Sequence, residues 1–185
     1  MTTDVPLRVQ AGAEKAGFGP LTAKFLHPNG RVYAIVYGGW AFMLIVYPVI
    51  MLAVMIGGPS AGARWAVALP AVAVLAALGV LLARQAIGSV NRRAFYLYPQ
   101  GYIATAASGR VVRVVNWRDV SRIEGAGPGL TMQVRAGLFG KVRNVCLIRH
   151  HRGKGRPIRF TEIADRATVA PLAYRLHAQA IHQES

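Results

Sequence analysis

The sequence predicts a membrane α-helical hairpin of two transmembrane helices, followed by a mainly β domain of about seven antiparallel strands and a C-terminal helix. Three observations predict it. Two apolar runs, Val32–Ile56 of 25 residues and Trp65–Ala83 of 19, carry no charged side chain. Beyond Arg93 the pattern changes to short alternating segments bounded by turn residues. The last segment then recovers apolar residues at three- and four-residue steps.

A bilayer core about 30 Å thick takes roughly 20 apolar residues of helix, because only a helix satisfies its own backbone in lipid. Both runs meet that length, and Gly57–Arg64 is too short to hold a domain between them. Residues 32–84 therefore read as the hairpin, with spans at 32–56 and 65–83. Lys15, Lys24 and Arg31 precede the first span, Arg84, Arg92 and Arg93 follow the second, and Arg64 stands alone in the loop. By the positive-inside rule both termini are cytoplasmic, giving a multi-pass protein of the inner (plasma) membrane. A cleaved signal peptide is the competing reading, since Ala61-Gly62-Ala63 looks like a cleavage site, but the 31-residue leader and the first apolar run are both too long for one.

The spans contain no Asp, Glu, Lys, Arg, His, Asn or Gln, so no proton or ion path is written into them. Pro48 and Pro70 fall near the middle of their runs and predict kinks. Ala73/Ala77 and Gly79/Ala83 have the four-residue spacing that lets helices approach closely, within the hairpin or toward a protein partner or homo-oligomer. Residues 1–31 read as a cytoplasmic segment, loosely ordered or interfacial, because Gly12, Gly17, Gly19, Pro20, Pro28 and Gly30 interrupt any long helix. Within it Phe18, Leu21, Phe25 and Leu26 suggest the apolar face of one short helix.

The C-terminal domain, 93–185, opens with runs 94–98 and 102–106 around a Pro99-Gln100-Gly101 turn. Runs at 111–117, 120–124, 130–136, 142–149 and 157–161 follow, separated by glycine-rich breaks. An antiparallel barrel or sandwich results. Val169, Leu172, Ala173, Leu176 and Ala180 make one face of the closing helix, with Asp165 or Thr168 as its cap and Pro171 in its first turn.

The segment Phe95–Tyr102 and the segment Gly109–Val120, with its Trp117-Arg118-Asp119-Val120 step, resemble the bacterial pleckstrin-homology-like (PH-like) membrane proteins. In that largely uncharacterised family a two-span hairpin precedes a small PH-like domain, so the resemblance implies this fold over roughly 32–182. It implies no activity. Lipid-binding PH domains build their headgroup site around the loop joining the first two strands, and here that loop, residues 99–101, holds no Lys or Arg.

The formal charge of +15 concentrates toward the C-terminus, where 16 basic and 5 acidic residues follow from Arg92 onward. A basic domain tethered beside the inner leaflet is drawn to anionic headgroups. Nucleic acid is the other polyanion such charge serves, and the tether favours the lipid. The candidate contacts are Arg149, Arg152, Lys154, Arg156 and Arg159, with Lys141 and Arg143 on the neighbouring run, and glycines 153 and 155 leave backbone N–H groups approachable. A solvated hairpin loop is the plainer reading of the same charges.

No catalytic, metal or cofactor constellation is present. His150 and His151 are adjacent, and on a strand they point to opposite faces. His177 and His182 are five apart, off the spacing that aligns a helical pair. Cys146 is the one cysteine and lies in an apolar-rich stretch, as a core residue does. Asp119 beside Arg118 and Arg122 reads as a turn or ion-pair residue. The 18-to-4 excess of arginine over lysine goes with a GC-rich bacterial genome. Two functional classes remain: a binding module docking a protein or anionic lipid at the inner leaflet, and an accessory subunit of a larger membrane complex with no ligand of its own.

Overall fold

The computed structural model describes residues 5–56, 62–125, 132–135, 142–163, 166 and 168–182. In chain order they form α1 (Leu7–Ala16), β1 (Ala23–Leu26), α2 (Gly30–Ile56), α3 (Gly62–Asn91), β2 (Ala94–Leu97), β3 (Gly101–Thr105) and β4 (Val111–Asn116). A 3-10 turn at Trp117–Asp119 then leads to β5 (Val120–Glu124), β6 (Met132–Arg135), β7 (Val142–His150), β8 (Ile158–Ile163) and α4 (Val169–His182).

Helices α2 and α3 are long and apolar enough to cross a membrane, with mean hydropathy of 2.0 and 1.9 over their candidate spans. They pack antiparallel along a seam of small residues. A Cβ on Gly38 would lie 4.0 Å from Ala86 Cβ, and one on Gly79 would lie 2.7 Å from Ile45 Cγ1. Without side chains at those points the backbones approach closely. Both helices continue through their prolines, Pro48 and Pro70. The second also runs past the apolar stretch to Asn91, so Gln85 and Ser89 ride on its last turns.

The strands form two antiparallel sheets. In the first the order is β1-β2-β3-β4. In the second β8 lies on one edge of β7, while β5 and β6 share the other edge, one after the other. Phe95, Leu97, Tyr102 and Val115 from the first sheet and Trp117 from the turn that follows it meet Ile123, Cys146, Ile148 and Phe160 from the second. Val169, Ala173 and Leu176 of α4 complete that core, as the helical spacing predicts. Trp117 is fully buried, its indole N–H donating to the Tyr98 carbonyl at 3.0 Å.

The N-terminal segment differs from the sequence reading. Residues 7–16 are helical, and Phe25 and Leu26 lie on an edge strand rather than on a helix. The glycines are punctuation here, not disruption: Gly17 (φ 67°) ends α1 in the left-handed conformation, its N–H donating to the carbonyls of Ala13 and Glu14. Val9, Ala13 and Phe18 then cover Ala94, Tyr96, Tyr98 and Ile103, the outer face of the first sheet. Both faces of β2 are thereby buried.

The cap of α4 also differs. Glu162 of β8 supplies it, with Oε1 accepting from Thr168 N (3.2 Å) and Val169 N (3.0 Å), and Oε2 from Ala170 N (3.0 Å). Thr168 takes part only through its backbone, and Asp165 lies outside the described residues.

Candidate anion-binding site

The hairpin is fused to the β domain rather than tethered to it. Asn29 Oδ1, just ahead of α2, accepts from Thr161 N at 2.9 Å, and His27 N donates to the Arg93 carbonyl at 2.8 Å. Thr105 Oγ1 donates to the Arg92 carbonyl at 2.7 Å and accepts from Ala94 N at 3.0 Å. Gly88 lies so close to the Ala107 carbonyl that a Cβ there would collide with it. These contacts pin the polar ends of both apolar helices to the open end of the β core.

The basic loop between β7 and β8 is partly neutralised from within. Arg149 pairs with Glu124 at 2.9 Å and Lys154 with Asp119 at 3.1 Å. Asp119 is thus an ion-pair residue in a turn, as its neighbours suggested. Arg152 and Arg156 are exposed, without a carboxylate partner among the described residues. The loop is held to the first sheet by Arg113, whose guanidinium donates to the Arg156 carbonyl. Gly153 (φ 86°) and Gly155 (φ 139°) have the positive angles that the loop's turns require. Lys141 and the side chain of Arg143 lie outside what is described.

Arg159 sits elsewhere. It lies on β8 at the rim of a cavity of about 390 Å³ between the two sheets, where α2 and α3 meet the domain. Arg93 and Arg113 line the same cavity, together with His27, Gln85 and Ser89. Its walls are Phe95, Ala104, Val112 and Ile158. No carboxylate is among the described lining residues. Arg93 lays its guanidinium over the Tyr33 ring at 4.1 Å, a contact that leaves the in-plane N–H groups able to donate.

His27 stacks on Phe95 with centroids 5.1 Å apart. Burial, reinforced by the nearby Arg93 charge, lowers its pKa to about 4, so the ring is neutral at pH 7. Asn29 N donates to His27 Nδ1 at 3.1 Å, which leaves the ring proton on Nε2. Ser89 Oγ already donates to the Gln85 carbonyl at 2.8 Å. The donors left facing the cavity are the arginine guanidinium groups, His27 Nε2–H and the Gln85 amide, while the Ser89 hydroxyl can only accept.

Beside the cavity, the Tyr102 hydroxyl and His150 Nε2 are 2.8 Å apart. Burial raises the Tyr102 pKa, and burial with the Arg113 charge lowers that of His150, so the pair stays uncharged. His151, by contrast, is exposed. Tyr96, Tyr98, Tyr102 and Trp117 are all core residues. Cys146 is fully buried, and burial followed by the Glu162 charge pushes its thiol up to about 12, which makes it unreactive. No group of three metal-ligating side chains occurs among the described residues.

Sequence reasoning missed this cavity because Arg93, Arg113 and Arg159 belong to three separate segments. Only Arg159 appears among the contiguous charges of the basic loop. No family model matches the chain, and no curated protein or solved structure matches it either.

Proposed function

We propose that this chain is an integral inner-membrane protein that presents a basic PH-like module at the cytoplasmic leaflet, where the module docks anionic lipid or a protein partner. It is a binding module and not an enzyme. The observation that carries the reading is the junction: the domain is bonded directly to the basic ends of two membrane-length apolar helices. A domain so fixed has one surface facing the headgroups and is basic. Each arginine or lysine near an anionic leaflet contributes about 1 kcal/mol of attraction.

The PH-like assignment draws on the two antiparallel sheets closed by α4 and on the buried Trp117 with its following turn. The bare turn at 99–101 argues against headgroup recognition in the manner of lipid-binding PH domains. The full chain in nanodiscs of mixed phosphatidylcholine and phosphatidylglycerol tests the reading. Lipids retained on release into native mass spectrometry should be enriched in phosphatidylglycerol, and the enrichment should shrink as salt rises. Retention in proportion to the nanodisc composition would refute it.

A further inference from the structure

We propose that the cavity at the base of the hairpin is a phosphate site, occupied by the phosphate of one anionic membrane lipid. The proposal deepens the preceding reading and rests on it. It replaces diffuse attraction through the basic loop with a built site of defined place.

Depth supports a lipid as the source. The cavity reaches Tyr37 on α2 and Gln85 on α3. The apolar runs begin at Val32 and end at Ala83, so at roughly 1.5 Å per residue Gln85 lies about 3 Å outside the second and Tyr37 about 8 Å inside the first. The cavity thus straddles the boundary between the apolar runs and the headgroup layer, where a lipid phosphate enters without leaving its leaflet.

Chemistry supports an anion. Three arginines face the space, and no described carboxylate answers them. Arg93 is pre-oriented by Tyr33 and Arg113 by the Arg156 carbonyl, so neither loses much freedom on binding. His27 Nε2–H and the Gln85 amide add neutral donors, while the Ser89 and Thr105 hydroxyl protons are already committed to backbone carbonyls. Planar guanidinium groups match phosphate oxygens two at a time. The volume of about 390 Å³ exceeds what a bare phosphate fills and leaves room for a small polar headgroup.

The test uses the full chain in the same mixed nanodiscs. The double variant Arg93→Gln/Arg159→Gln should retain roughly tenfold less phosphatidylglycerol. Val112→Glu should do the same by placing an anion at the cavity wall; Val112 is 59% exposed, so the substitution leaves the fold intact. The charge-matched control Arg8→Gln/Arg175→Gln, on exposed positions of α1 and α4 outside the cavity lining, should change retention less than twofold. A third double variant, Arg152→Gln/Arg156→Gln, examines the rival loop. Equal losses in all the double variants, or a loss confined to the loop variant, would overturn the cavity while leaving the membrane-docking reading intact. Absence of phosphatidylglycerol enrichment in the wild type would overturn both. Displacement of the retained lipid by millimolar inorganic phosphate would assign the site to a soluble phosphate and refute the lipid.

Discussion

The Glu162 carboxylate at the start of α4 gathers three backbone hydrogen bonds that one substitution would break. A helix leaves its first four N–H groups without partners inside the helix. Here those positions are Thr168, Val169, Ala170 and Pro171, and proline has no N–H to satisfy. Glu162 therefore accepts from every available donor of the turn, and it does so as an anion at the positive end of the helix dipole. Hydrogen bonds to a charged group contribute about 1.5–3 kcal/mol each, and they are not additive. Losing an ordinary single-bond cap costs about 0.5–2 kcal/mol. Glu162→Ala, which strands three donors in a site that is 6% exposed, should cost about 3 kcal/mol. Glu162→Gln keeps one acceptor oxygen and should cost about 2 kcal/mol. In a domain of this size 1 kcal/mol moves Tm by about 4–8 °C, so Glu162→Ala should lower it by roughly 12–24 °C. Thermal unfolding of the full chain in detergent, followed by circular dichroism, reads this directly. Thr168→Ala should shift Tm by no more than about 3 °C, because that side chain makes no cap. A small effect of Glu162→Ala, or an equally large one of Thr168→Ala, would refute the assignment.

Three further outcomes follow from other parts of the fold. His27 is held neutral with its pKa depressed to about 4 from the ordinary 6.5, so the unfolded chain binds a proton first as pH falls. The stability this gives is complete above about pH 6.5 and is lost toward pH 4, by up to about 3 kcal/mol. His27→Gln should flatten that limb of a stability-against-pH curve, and an unchanged limb would refute the cause. Gly38→Cys with Ala86→Cys should form a disulfide on mild oxidation, since their Cβ positions are 4.0 Å apart. Adding Gly79→Val, whose Cβ meets Ile45, should cut the yield of that crosslink severalfold; no change would place the seam elsewhere.

Much of the architecture was legible in local pattern. The two apolar runs became α2 and α3, the predicted β-runs after Arg93 became β2 to β8, and Val169, Ala173 and Leu176 face the core. What was misread depends on partners distant in sequence. In the leader the capping signals were present, Pro6 before the first turn and Gly17 after the last, but the glycines were read as interruptions. Phe25 and Leu26 belong to a strand because β2 pairs with them across about 70 residues, which no local spacing announces. Glu162 caps α4 from another element, so a search for a neighbouring Ser, Thr or Asp finds the wrong residue. The cavity joins β4, β8 and the junction at Arg93, and charge clustering along the chain could reveal only Arg159.

The central claim, that the apolar hairpin spans a membrane and holds the β domain at the cytoplasmic face, is tested most directly by labelling in intact cells. Cys146 is fully buried with its thiol pushed up to about 12, so the native cysteine stays silent and single added cysteines report alone. A cysteine within 57–64 should react with an impermeant maleimide before lysis, and one placed at Arg152 should react only after it. Labelling of Arg152→Cys in intact cells, or of neither site until lysis, would contradict the account.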